Sequence, residues 1–128
     1  MMHAINKKIY YHDTDCGGVV YYANYLKYFE EARTEYLADR GINLIEMAKE
    51  GFLFVVKKVD IEYKSPGRYG DKLTVTSEIT KLRSASMQFT QEVKRGDLLI
   101  VAAKTVLVCI DKTFHPTAMS DDLIEKIK

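Results

Sequence analysis

An α+β fold, one antiparallel sheet with a long helix packed on a face, follows from three features of the chain. Between Ala23 and Arg40 apolar residues recur at helical spacing. After Gly51 the period changes to two and holds through four consecutive runs separated by turn residues. Helix and strands are thus grouped rather than alternated, which excludes a doubly wound parallel sheet.

Residues 3–11 read as the first strand, with Ile5, Ile9 and Tyr11 on one parity and Lys7 interrupting them. A turn rich in Asp and Gly follows over Asp13–Gly18. Tyr25, Phe29, Ala32 and Tyr36 then keep the i, i+4, i+7, i+11 pattern of an amphipathic helix, while Lys27, Glu30, Glu31 and Glu35 occupy its other side. Gly41 supplies the stop, and Leu44–Gly51 is a shorter helical piece also closed by glycine. Val59–Lys64 alternates cleanly, giving a half-exposed strand from Phe52 to Lys64 that ends at Ser65-Pro66-Gly67. Leu73, Val75, Ser77 and Ile79 mark the next strand, and Met87, Phe89, Gln91 and Val93 a third. Arg95-Gly96-Asp97 turns the chain into a fourth, Leu98 to Ile110, apolar on both parities as a central, covered strand is. Ser120 is placed to cap a final helix, Ser120–Ile127, with Asp121 and Asp122 where the helix dipole favours negative charge.

The chain reads as one domain, residues 1–128, within the common size of roughly 100–150 residues. A net charge of +1 argues against adhesion to nucleic acid or membrane by bulk charge. The longest apolar run, Leu98 to Ala103, falls far short of the ~20 residues that span a bilayer, so no integral membrane segment is expected. The N-terminus lacks the basic-then-apolar pattern of a signal peptide. Cys16 and Cys109 match no zinc or redox spacing and read as free thiols in a reducing compartment, so the cytoplasm is the expected location. His3 and His115 show no ligand spacing, so no metal site is expected.

The chemistry concentrates in Tyr10–Tyr25. Seven of the nine tyrosines lie between Tyr10 and Tyr36, and the same stretch holds two acids and two adjacent glycines running into the long helix. Asp15 has two readings on residues alone: a turn or capping residue, or a reactive carboxylate aimed at the helix start. Asp13 reads as a brace for the loop, and His12 as an exposed or hydrogen-bonded neighbour. Cys16 stands beside an anion, which raises a thiol pKa, and has no histidine placed to activate it. Tyr25, Tyr28 and Tyr36 suit the core or a subunit contact, whereas Tyr22 and Tyr25, near the turn, also suit the lining of a ligand pocket.

Tyr11-x-Asp13-Thr14-Asp15-x-x-Gly18-x-Val20-x-x-x-Asn24-Tyr25, followed by Phe29-Glu30-x-Ala32-Arg33, resembles the signature of the 4-hydroxybenzoyl-CoA thioesterase family, in particular its bacterial Tol–Pal-associated acyl-CoA thioesterases. The resemblance spans essentially the whole chain. It implies a hotdog fold, a five-stranded antiparallel sheet wrapped around a long central helix, and hydrolysis of acyl-CoA by a homodimer or homotetramer. It places the catalytic carboxylate on Asp15 and polarisation of the thioester carbonyl on the backbone around Tyr22. Many relatives of that type carry histidine where this chain has Tyr22, so the backbone N–H and not the side chain is assigned there. CoA is then part of the substrate, not a cofactor, and acyl carrier protein is a further conceivable acyl donor.

A thioester needs an attacking carboxylate or base-activated water, and donors aimed at the developing oxyanion. Asp15 as nucleophile or general base and the N–H groups at the helix start supply both. Gly18, Val19, Tyr25, Ser65, Arg68 and Arg83 complete the expected substrate-binding set. Arg68, with Lys81 and Arg83, is a candidate for the CoA phosphates because guanidinium groups hold them bidentately, and relatives place a phosphate-contacting arginine at the Arg83 position. Two rival readings remain: a dehydratase or hydratase of the same fold, which usually pairs a histidine with its acid, and a non-catalytic acyl-CoA- or protein-binding module.

Overall fold

The computed structural model describes residues 2–128. Its elements run β1 (His3–Lys8), a 3-10 turn (Tyr11–Asp13), α1 (Asn24–Asp39), α2 (Leu44–Lys49), β2 (Leu53–Tyr63), β3 (Lys72–Leu82), β4 (Ser86–Arg95), β5 (Leu98–Ile110) and α3 (Asp121–Ile127). The five strands form one antiparallel sheet in the order β1-β3-β4-β5-β2. This is the expected α+β arrangement.

The period-two runs decide which face is covered. Leu73, Val75 and Ser77 of β3 and Met87, Phe89, Gln91 and Val93 of β4 are buried beneath α1. From the helix, Tyr25, Tyr28, Phe29, Ala32, Arg33, Tyr36 and Leu37 point inward. Seven buried positions over 16 residues make a stripe wider than the four apolar positions the spacing suggested. Arg33 is the surprise in it. Its Nη1 donates to Gln91 Oε1 (3.1 Å), and Gln91 Nε2 donates to Phe29 O (3.0 Å) and Ser77 Oγ (2.9 Å). This network pins the middle of the helix to β3 and β4, and burial depresses the Arg33 pKa. Gly41 closes α1 at φ 77°, a left-handed geometry suited to glycine.

The first strand is shorter than the expected 3–11. β1 ends at Lys8, Ile9 enters the core, and Tyr11 is 75% exposed rather than inward-facing. The physical reason is local. Asp13 Oδ2 accepts the Tyr10 N–H (2.9 Å) and Asp13 N–H donates to Tyr10 O (3.0 Å), which curls Tyr11–Asp13 into a turn and ends the alternation. Lys7, which interrupts the apolar parity, lays its stem inward with Nζ 5.1 Å from the Tyr28 ring centre and reaches Glu31 (3.3 Å).

β2 lies at one edge of the sheet. Its register pairs Val59 with Thr105 and Tyr63 with Val101, both buried, so Val56, Val59, Ile61 and Tyr63 share the covered face of the sheet. Val56, Val59 and Tyr63 are nevertheless 38–50% exposed, because α1 packs mainly on β1 and β3.

Candidate active site

The Asp13–Gly18 turn is a tight hairpin. Thr14 bridges Val20, Asp15 N–H donates to Val19 O (2.9 Å), and Gly18 N–H donates to Asp15 O (3.1 Å). Gly18 takes φ 77°, where a side chain would be strained. The Asp15 carboxylate stands exposed at this turn. Its Oδ1 accepts the Gly17 N–H (2.8 Å), so one oxygen serves the turn while Oδ2 meets no donor among the described residues.

The turn is fastened on two sides. Asp13 O accepts both the Tyr21 N–H (3.0 Å) and Asn24 Nδ2 (2.9 Å), tying the loop to the first turn of α1. Val20 N–H donates to Gly67 O (2.8 Å), and Val19 bridges Arg68, tying it to the segment before β3. Gly67 admits this approach because it lacks a side chain: a Cβ there would sit 2.8 Å from Tyr25 Oη and 3.2 Å from a Val20 methyl.

The start of α1 is uncapped. Ala23 at the cap position offers no side-chain acceptor, and the first turn holds no acidic residue. The N–H groups of Tyr22 and Ala23 meet no acceptor among the described residues. Free donors at the positive end of a 16-residue helix, with an exposed carboxylate on the loop strapped to it, have the chemistry suited to an oxygen that gains negative charge. Asn24, whose side-chain amide fastens the loop by donating to Asp13 O, was not singled out from the sequence. Its position at the first helical residue was the available signal.

The other expected residues are distributed unevenly. Tyr22 is exposed, its ring edge-on to Tyr63 (6.0 Å), and its carbonyl accepts the Tyr63 hydroxyl (3.3 Å). Burial raises the Tyr63 pKa. Tyr25 has its ring in the core, 3% exposed, and its hydroxyl accepts the Gly67 N–H (3.0 Å). Of the two readings for Tyr25, core and acyl pocket, the ring occupies the first. Ser65 is half-buried, its N–H bonded to Ile100 O (3.1 Å). Arg68 is exposed beside Val19 and makes no ion pair among the described residues. Arg83 lies past the far end of β3, about 33 Å along the strand from Lys72, so one chain does not bring it to Asp15. It borders a shallow hollow with Lys81, Gln88 and Val106. A hollow of about 390 Å³ is also remote: Ile42, Met47, Phe52, Cys109, Met119 and Leu123 line it near the C-terminal end of α1. Asp15 is at the other end of that helix, about 24 Å away by helix rise. Cys16 is exposed and Cys109 buried, both free. No group of three or more His, Cys, Asp or Glu converges among the described residues, and no described helix is long and apolar enough to cross a membrane.

The family model described as the thioesterase superfamily matches residues 17–102. The chain belongs to the thioesterase superfamily. That match begins two residues after Asp15, so it covers the glycines, α1 and most of the sheet, but not the acid itself. Among its relatives, the acyl-CoA thioester hydrolase YbgC of Escherichia coli O6:H1 is 37% identical over 123 residues, covering 94% of this chain and 92% of that one. The solved structure of a probable thioesterase from Bartonella henselae superposes with a TM-score of 0.90 at 31% identity, covering 94% of this chain and all of the other. A 4-hydroxybenzoyl-CoA thioesterase complexed with 4-hydroxybenzoyl-CoA gives a TM-score of 0.91 at 20% identity over 99% of both chains, a likeness of fold. The five-stranded sheet around a long helix is the hotdog architecture of this superfamily.

Proposed function

We propose that this chain hydrolyses acyl-CoA thioesters to free acid and CoA, with Asp15 as nucleophile or general base and the Tyr22 and Ala23 N–H groups holding the carbonyl oxygen. The observation that carries this reading is the pairing of an exposed carboxylate with an uncapped helix start on one doubly fastened loop. Membership of the superfamily and the relative's name support the substrate class. Attack by Asp15 Oδ2, or by water it deprotonates, builds negative charge on the thioester oxygen. The two free N–H groups meet that charge without rearranging, and losing one such donor costs about 2.7–4 kcal/mol in barrier. The thiolate of CoA then leaves and takes up a proton; where water attacked, the acid is formed directly, and where Asp15 attacked, a water hydrolyses the resulting acyl–aspartyl anhydride, releasing the acid and restoring Asp15.

The exposed Arg68 guanidinium beside the turn is placed to hold a CoA phosphate. Arg83 takes part only if another subunit carries its own Arg83 to this site. Assembly is part of the reading. β2 presents an edge with no strand partner and an apolar strip that α1 leaves open, and antiparallel addition of a second copy covers both. A homodimer or homotetramer satisfies this, and Val59→Lys is expected to lower the mass measured by light scattering. A cytoplasmic location agrees with two free cysteines.

The test is incubation with short, long and aromatic acyl-CoAs, and with acylated carrier protein, following thiol release. Hydrolysis of at least one class is expected. Recovery of every acyl-CoA intact but bound points instead to a binding module, and enoyl product from a 3-hydroxyacyl-CoA to a dehydratase.

A further inference from the structure

Tyr63 reaches the candidate site from β2, an element the hydrolytic reading leaves unused. It is the last residue of that strand, paired with Val101 of β5. Directly after it, the Lys64 and Ser65 N–H groups both donate to Ile100 O (2.8 and 3.1 Å), so the sheet holds its backbone. Its ring centre stands 6.0 Å from that of Tyr22 and 5.9 Å from that of Tyr25. Its hydroxyl donates to Tyr22 O at 3.3 Å, long for an O–H···O bond. Burial, then Tyr22, raises its pKa, so it stays a neutral donor. The acceptor gives this bond its meaning. Tyr22 O and the Ala23 N–H belong to one planar trans peptide and point to opposite sides of it. The Ala23 N–H meets no acceptor among the described residues, and Ala23 offers no side-chain cap. Hydrogen bonds therefore hold this peptide through its carbonyl alone. That oxygen accepts the Tyr25 N–H (3.3 Å), a bond of the helix's own first turn. The Tyr63 hydroxyl is its one partner from another element among the described residues.

We propose that Tyr63 is a positioning residue for the hydrolytic step: its hydroxyl grips Tyr22 O, which fixes and polarises the Ala23 N–H on the far side of the same peptide. The proposal rests on the thioesterase reading above. Two effects act together. A donor on an amide oxygen draws electron density from the nitrogen and strengthens the N–H as a donor, by roughly 10–30% per bond in a chain of hydrogen bonds. It also sets the plane of the peptide, and with it the direction in which the Ala23 N–H points. Oxyanion donors are effective because they do not have to turn when the charge appears. The far-side placement separates this role from a substrate contact: the Tyr63 hydroxyl lies on the carbonyl side of the peptide, and the thioester oxygen is held on the N–H side. A single uncharged hydrogen bond changes a rate by roughly 2- to 10-fold, well under the ~100-fold lost with a whole oxyanion donor.

Tyr63→Phe, measured on the full chain with the best acyl-CoA substrate, tests this, because the ring stays and only the hydroxyl goes. The expected result is a kcat about 5-fold lower with KM within about twofold of wild type, the mark of an interaction felt mainly in the transition state. Tyr63 is 46% exposed, so the melting temperature is expected to stay within about 2 °C. A second readout follows the donor itself. Asp15→Asn is mixed with an acyl-CoA bearing an isotope-labelled thioester carbonyl, and the carbonyl stretch is recorded by infrared difference spectroscopy. Adding Tyr63→Phe is expected to move that stretch to higher wavenumber, toward the value of free acyl-CoA. A kcat equal to wild type overturns the proposal. So does a lowered kcat with an unmoved carbonyl stretch, and so does a raised KM that accounts for the loss, which marks a direct substrate contact. If Asp15→Asn is inactive while Tyr63→Phe turns over normally, the Tyr63 role alone fails; if Asp15→Asn remains active, or wild type releases no thiol, the hydrolytic reading fails.

Discussion

Replacing Gly67 by alanine strikes the point where the loop before β3 grips the Asp15 turn. The new methyl would lie 2.8 Å from Tyr25 Oη, 3.2 Å from Val20 Cγ2 and 3.5 Å from Leu73 Cδ1. Tyr25 cannot yield easily: its ring is 3% exposed and packs against Tyr28 and Tyr63 at centroid distances of 5.8 and 5.9 Å. Overpacking of this kind costs about 2 kcal/mol, the middle of the usual range. At about 4 °C per kcal/mol for a domain this size, the melting temperature falls by about 8 °C. Tyr25→Phe removes the atom in closest conflict, but it strands the Gly67 N–H, at about 1–2 kcal/mol. In the double variant the methyl no longer meets a hydroxyl, although the Val20 contact remains. The two changes together are therefore expected to cost about 1 kcal/mol less than the sum of the singles. Equilibrium urea unfolding of the four proteins measures this directly. Strict additivity would refute the close-approach account of Gly67.

Three further outcomes follow from the structure. Phe114 is the one described non-glycine residue at positive φ (62°) and is 73% exposed, so Phe114→Gly should stabilise by about 0.5–1 kcal/mol in thermal melts, little packing being lost. Gln91→Leu leaves the Arg33 guanidinium without its acceptor and should destabilise by about 2–3 kcal/mol in urea, with Arg33→Met partly restoring the loss. Asp111 is held below the usual carboxylate range by the Thr113 hydroxyl, then by the Thr113 and His115 N–H groups. A depressed folded pKa contributes stability above the ordinary carboxylate pKa, and that contribution disappears as pH falls through the lower folded value. The stability difference between wild type and Asp111→Asn should thus be constant near neutrality and shrink below about pH 4, by acid titration of unfolding.

The sequence showed most clearly what is periodic and local. The α1 stripe through Tyr25, Phe29, Ala32 and Tyr36 and the alternations of β3 and β4 were legible because one face of each meets the core. Tyr11 was misjudged because parity counting ignores side chain to backbone bonds, and Asp13 curls the chain just where alternation pointed inward. Arg33 was invisible as a core residue because its partner Gln91 is 58 positions away. The turn around Asp15 could be read from its Asp and Gly content, and the free donors from a helix that begins without a capping residue. The straps through Asn24 and Gly67 required the fold. Arg83 was grouped with Arg68 on guanidinium chemistry and on its match to a phosphate-contacting position of relatives, and the length of β3 separates the two within one chain.

Asp15→Asn tests the central claim most directly. Asparagine keeps an oxygen that can accept the Gly17 N–H, so the turn is retained while the negative charge is removed. Steady-state thiol release and CoA binding are measured on the same preparation. The expected result is a kcat at least about 100-fold lower with CoA affinity and melting temperature close to wild type. Turnover near the wild-type rate would contradict the assignment of Asp15 as the attacking or base carboxylate.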